Sequence, residues 1–364
     1  PDVPRPYRFE GVGRFGARLE HDLRLAVPDP ALLPPLDLAL AQALRTDQLN
    51  EYVRVPITRQ LADAVTPAWP FPPDALLAVN GGFDGLMLLL QSLLLAGDPV
   101  AVEEPSAPRL LDLLDEVGAE VLEVACDDRG PRPDALAAAL HRRPVLFMYQ
   151  PRAHSPRGHH VDAARRDELA ALLAPTTTSI VENDGLGALA NAEPASIGTV
   201  LPARTVMVRS YSKPYGPDLR LAVVGGAATL VEKARVYRTF GSGWTSRILQ
   251  NCLAALLTDP AVDRSVAHAR EVYRSRREAL AGALARRGMA CGSADGLAVW
   301  VPVRDERTAL VTLAAAGVAV AAGSQYHHGP HQPHIRAATG RLTADPDAIA
   351  DLIALAVTEG EAMD

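Results

Sequence analysis

Cysteine is scarce in this chain. Cys126, Cys252 and Cys291 are the only three in 364 residues, too far apart for a disulfide framework or a metal-binding spacing. A reducing, cytoplasmic setting is therefore expected, and no metal site. Long apolar runs are missing as well. The longest, around Leu86 to Ala96, is interrupted by Gln91 and Ser92 and reads as a buried helix, so no membrane span is expected. The first residues, Pro1 to Gly13, carry prolines and charges in place of a signal-peptide core. No basic run occurs and the net charge is −7, which argues against a nucleic-acid surface, since that needs a concentrated positive stripe. Lysine is almost absent: two of the 36 basic residues are Lys213 and Lys233, and the rest are arginine.

What is present suits a globular protein. Hydrophobic residues make up 48% and charged residues 22%, enough to fill a sizeable core in a chain long enough for one large and one smaller domain. From residue 80 onward, apolar strand-like runs alternate with amphipathic stretches. Strands are expected near 99–103, 120–124, 145–149, 178–182 and 205–209, with helices at 83–95, 110–117, 134–140 and 163–173 between them. Continuous apolar strands separated by helices predict a mainly parallel α/β sheet. After Gly226 the pattern is largely helical to Ala285, followed by a mixed tail. In open parallel sheets, ligands sit beyond the carboxyl ends of the strands. The chemically suggestive residues fall there: Gln150 to Gly158, Asn183-Asp184 and Ser210 to Lys213.

Lys213 lies in Arg209-Ser210-Tyr211-Ser212-Lys213-Pro214-Tyr215-Gly216-Pro217-Asp218-Leu219-Arg220. A lysine amine can lose its proton and form a Schiff base with an aldehyde, whereas a guanidinium stays charged. Two hydroxyls just before it and an arginine seven residues after it would serve an aldehyde cofactor that carries a phosphate.

This segment resembles the Ser-x-Ser-Lys-x-x-x-Pro-x-x-Arg pattern of fold-type I enzymes dependent on pyridoxal 5′-phosphate (PLP), the aspartate aminotransferase superfamily of class I and II. The likeness continues through Gly241 to Arg247 and His334-Ile335-Arg336, over roughly residues 45–355. It is most similar to the aminotransferase-like domain of MocR-type GntR proteins. About 45 residues precede the family-like region without a helix-turn-helix pattern, so the winged-helix domain of those proteins is not expected in this chain. The resemblance implies a large domain with a mainly parallel sheet of seven-stranded type and a smaller α+β domain. The expected division is an arm and part of the small domain over 1–45, a PLP-binding domain over 46–285 and a C-terminal domain over 286–364.

The resemblance also implies roles. Lys213 carries the cofactor link. Gly81-Gly82-Phe83 opens a helix whose N-terminus cradles the phosphate, with Ser210, Ser212 and Arg220 completing the grip and Tyr52 reaching it from a second subunit. Arg336 takes the substrate carboxylate. Three positions depart from the family pattern. Ala107 stands where relatives stack an aromatic ring on the pyridine, and Ser155 where they have an asparagine for the 3-oxygen. Asn183 stands where they have an aspartate for the ring nitrogen. Because the nitrogen needs a carboxylate, Asp184 is expected to take that place through a small shift at the strand end. His154 is read as a substrate contact or a loop histidine in solvent. His327, His328 and His331 form a histidine-rich loop without carboxylates at useful spacing.

The expected function is that of a PLP-dependent transferase acting on an amino acid, aminotransferase-like, as a homodimer with shared sites. One alternative is a biosynthetic enzyme that forms a carbon–carbon bond or substitutes at the side chain of a bulky amino acid such as S-adenosylmethionine, with a second small molecule entering. Another is the effector-binding domain of a transcriptional regulator.

Overall fold

The computed structural model describes Arg8, residues 19–46 and residues 49–358. Residues 1–7 and 9–18 of the expected N-terminal arm lie outside these residues. The described residues form twelve strands: β1 (His21–Leu23), β2 (Ala75–Val79), β3 (Pro99–Glu104), β4 (Glu120–Asp127), β5 (Gly130–Pro131), β6 (Leu146–Tyr149), β7 (Ser179–Asp184), β8 (Thr205–Ser210), β9 (Ala222–Gly226), β10 (Ala298–Pro302), β11 (Val318–Ala322) and β12 (His334–Ala338). Eight of them make one sheet in the order β2-β9-β8-β7-β6-β3-β4-β5. The pairs from β8 through β4 are parallel, whereas β9 runs antiparallel to both neighbours and β5 antiparallel to β4. This is the expected α/β architecture, with two-residue β5 added at one edge.

The central strands are buried on both faces because they are apolar throughout. In β6 all four residues are buried, and in β8 only Ser210 at the end is partly exposed. One helical layer covers one face with Leu86, Leu89, Leu90 and Leu230, and Leu136, Leu169 and Leu173 pack against the other. Each such side chain contributes about 1.5–3 kcal/mol on burial.

The helix Gly82–Leu93 lies close on the sheet because Gly85 has no side chain: a Cβ there would come within 3.0 Å of Val224 and 3.1 Å of Val79. That close approach aims the helix N-terminus at the ends of β8 and β9. A 27-residue helix, Pro260–Arg286, then leads to a four-stranded sheet, β1-β11-β12-β10. Here β1 enters from the start of the chain and pairs parallel with β11, His21 opposite Val318. The core of this second sheet is Val299, Val301, Val318, Ile335 and the inner faces of the last two helices.

Candidate active site

The carboxyl ends of β3, β6, β7 and β8 open into one cavity of about 410 Å³. Its wall includes Gly82, Phe83, Ala107, Ser155, Asn183, Ser210, Ser212, Lys213, Arg220 and Arg336. Ten residues singled out in the sequence, from Gly82 to Arg336, thus meet at one place. Gln150, Gly185, Arg109, Tyr326 and Leu25 to Val27 join them. Of these, only Gln150 carried a signal, its place at a strand end.

Lys213 sits in a short turn of helix (Ser212–Tyr215) directly after β8. Its amine donates to the Gly185 carbonyl at 3.1 Å. Desolvation at the base of the cavity, helped by the positive charge of Arg336 and opposed by Asp184, lowers its pKa to about 8. A substantial neutral fraction near physiological pH is what a nucleophilic lysine needs.

The helix Gly82–Leu93 begins without a side-chain cap, so its first amides are left for another acceptor. Gly81 holds φ +103°, a conformation that glycine adopts freely, and a Cβ there would lie 3.0 Å from Arg220 Nη2. Arg220 reaches over the turn and donates to the Asn80 carbonyl at 3.1 Å, while the Ser210 side chain faces Gly82. Free helix amides, a hydroxyl and a guanidinium around a space that a methyl group would fill fit a phosphate.

Arg336 lies on β12 opposite Trp300 and is buried. Nη1 donates to Tyr326 Oη at 2.7 Å and more weakly to the Arg24 carbonyl at 3.4 Å, whereas Nε is buried without a hydrogen-bond partner among the described residues. No carboxylate of the described residues neutralises it. An arginine edge left open toward a cavity suits a ligand carboxylate.

Three expectations need correction. Asp184 does not line the cavity. Arg152 binds both its oxygens (3.0 and 2.8 Å), and Arg209 donates to Oδ2 at 2.7 Å. Burial would raise this carboxyl, but the two guanidiniums outweigh it and hold it down at about 2. The reason is strand alternation: neighbouring residues of β7 point to opposite faces, so Asn183 faces the cavity and Asp184 faces away.

His154 is not a loop histidine in solvent; it borders a smaller cavity beside Lys213. It is buried, with Nε2 bonded to the Pro105 carbonyl at 3.0 Å and Nδ1 accepting from the Arg157 amide at 3.3 Å. The histidine-rich loop does have carboxylates, supplied by other strands: Glu104 lies 2.5 Å from His327 Nδ1, and Glu123 lies 3.3 Å from His328 Nδ1.

Tyr52 lies elsewhere, exposed and edge-on to Trp244 at 6.1 Å between ring centres. Ala107 leaves open wall where relatives place an aromatic ring, and two residues on, the Arg109 guanidinium lies 4.7 Å over the Phe83 ring.

Solved structures share this architecture. A kynurenine aminotransferase from Pyrococcus horikoshii superposes with a TM-score of 0.85 at 19% identity, over 96% of this chain and 92% of its own. The aspartate aminotransferase of Thermus thermophilus gives 0.81 at 22%, over 94% and 92%. Among curated proteins, the vitamin B6 salvage pathway transcriptional repressor PtsJ of Salmonella typhimurium is 33% identical over 312 residues, 84% of this chain and 72% of PtsJ. The regulator TauR of Rhodobacter capsulatus is 32% identical, and the match spans only 45% of TauR.

The family model for aminotransferase class I and II matches residues 20–352, so the chain belongs to that family, with the fold of type I PLP enzymes. Its cofactor is pyridoxal 5′-phosphate, and the open helix N-terminus beside Ser210 and Arg220 fits the phosphate of that molecule. Among the described residues no helix is long and apolar enough to cross a membrane.

Proposed function

We propose that this chain is an enzyme that uses PLP to transform an amino acid, with Lys213 as the catalytic residue. The observation that carries the reading is one cavity holding a lysine amine lowered to about 8, a phosphate-shaped cup and a buried arginine with an open edge. When bound, PLP supplies an electron sink for negative charge developing at the substrate Cα.

The protein's own groups do the rest. The Gly81-Gly82-Phe83 turn, Ser210, Ser212 and Arg220 hold the phosphate, and Ser155 offers a hydroxyl for the 3-oxygen. Arg336 holds the α-carboxylate, which fixes the bond at Cα that faces the ring. The Lys213 amine takes and returns the proton at Cα, as a neutral amine in a desolvated site can. Asn183, which lines the cavity, would meet the ring nitrogen with an amide, which cannot hold a proton there as an ionised carboxylate does.

Simple transamination is the default for this family. Ala107, Ser155 and Asn183 favour a second reading, because each weakens a contact on the same ring and Ala107 enlarges the space beside it. The substrate is then a bulky amino acid such as S-adenosylmethionine, processed by bond making at its side chain, with room for a second small molecule. Single-turnover reaction of the PLP-loaded protein with common amino acids and with S-adenosylmethionine, read by product mass spectrometry, separates the two. Rapid conversion of common amino acids to keto acids supports the transaminase. Cofactor binding without turnover of any amino acid supports an effector-binding domain, the reading to which the likeness to PtsJ points.

We also propose a homodimer with Tyr52 completing the partner's phosphate cup. A PLP-loaded, active monomer in light scattering overturns that arrangement.

A further inference from the structure

Next to the cavity, and outside the machinery just described, Glu103, His154 and His159 form a buried cluster. Each offers a ligand atom, and these atoms lie within 4.8 Å of one another. Glu103 is the next-to-last residue of β3, and the two histidines flank the tight loop after β6. That loop is closed on itself: the His154 amide donates to the His159 carbonyl at 3.0 Å and the Gly158 amide to the His154 carbonyl at 2.6 Å. The two imidazoles stack face to face with centres 4.0 Å apart. Exposures are 0%, 1% and 2%, so water screens none of the three.

The bonding of this cluster is incomplete. Glu103 Oε1 accepts from the Gln150 amide and side chain at 3.0 and 2.9 Å, but Oε2 has no hydrogen-bond partner among the described residues. Neither ring nitrogen of His159 has one either. Leaving a buried polar group without a partner costs about 1–3 kcal/mol, and three such atoms meet here.

We propose that Glu103, His154 and His159 bind a divalent transition-metal ion of the zinc class. Two imidazole nitrogens and one carboxylate oxygen are a donor set that such ions accept in tetrahedral sites, with a fourth position left for water. With bonds of about 2.0–2.2 Å, the ligand atoms must draw in to roughly 3.3 Å from one another. The histidine stack opens, and His154 Nε2 exchanges the Pro105 carbonyl for the metal. A smaller cavity of about 90 Å³ beside Lys213, lined by His154 and Ser155, gives the approach. The ion would pin the loop that carries Gln150 and Ser155 to β3, steadying the cavity wall from behind.

The test is equilibrium dialysis of the PLP-loaded protein against Zn²⁺ with elemental analysis, together with Co²⁺ as an optical probe. One equivalent of Zn²⁺ and a tetrahedral Co²⁺ band are expected in the wild type and in a His328→Ala/His331→Ala variant. Affinity should fall at least tenfold in His159→Ala and in Glu103→Gln. If these two fail to fold, the wild-type and loop-variant titrations decide alone. No retained metal in the wild type overturns the proposal, and so does metal lost with the surface loop. The readout does not depend on turnover, so failure of the enzymatic reading leaves it intact.

Discussion

Replacing Arg336 with alanine removes two things at once, and each has its own readout. The first is the partner of the substrate carboxylate. Because Arg336 is buried and has no carboxylate of its own among the described residues, a ligand carboxylate left unpaired there would cost about 2–5 kcal/mol. At 1.4 kcal/mol per tenfold, kcat/KM is expected to fall by roughly 30- to 4,000-fold. The second is a positive charge that helps to lower the Lys213 amine to about 8. Without it that pKa rises toward the ordinary 10.5. The neutral amine is the form that captures the cofactor, so capture by the cofactor-free variant should be slower at pH 7.5, and its pH profile should shift upward. The assay is stopped-flow absorbance of cofactor capture between pH 6.5 and 10, alongside steady-state kinetics with whichever amino acid the wild type turns over. A variant with an unchanged pH midpoint and kcat/KM within threefold of wild type would refute the placement of Arg336 beside both groups.

Lys213→Ala should abolish the visible band of the covalently held cofactor while weak PLP binding persists through the cup. Borohydride reduction and peptide mapping that mark Lys233 instead would overturn the assignment. Gly81→Ala forces a side chain into φ +103° against Arg220, a strain of about 1–3 kcal/mol. PLP affinity should drop about tenfold or more, measured by fluorescence titration, with the melting temperature of the cofactor-free protein as control. Asp184→Asn leaves buried Arg209 without its ion-pair partner, and Arg152 with a 3.8 Å contact to exposed Glu193 in place of a buried one, and should destabilise the fold by about 3–5 kcal/mol in urea unfolding. The spectrum of the folded, PLP-loaded fraction should stay unchanged; a shifted band would place Asp184 on the cofactor ring. The stability that Asp184 provides is present above its ordinary pKa of 3.8 and is lost as pH falls through about 2, so acid unfolding of the wild type should extend into that window.

Much of the site was legible because its residues punctuate strand ends. Ser210 ends β8 and Lys213 follows it, and Asn80 to Gly82 open a helix, positions that apolar runs and glycine pairs mark in the sequence. Strands β2 and β9 were not read. Ala75–Val79 is mostly alanine and leucine, which suit a helix as well as a strand, and Ala222–Gly226 ends in two glycines; their antiparallel pairing, not their composition, makes them strands. Asp184 was misread through chemical need, where the two-residue period of a strand would have placed it on the far face. The carboxylates beside His327 and His328 come from β3 and β4, more than 200 residues away in the chain, and no local spacing can show such a meeting. Arg109 had no motif to mark it.

The way β1 joins its sheet bears on how this protein is made. His21 to Leu23 leave the ribosome almost 300 residues before their partner strand, Val318 to Val320. Leu25, Ala26 and Val27, which follow β1, form part of the cavity wall. Until β11 is made, residues 21–27 wait without their neighbour, and the cavity lacks a side. A contact so distant in sequence forms late. A nascent chain arrested before β11 should therefore hold a folded eight-stranded sheet, yet expose residues 21–27 to protease and form no closed pocket around Lys213.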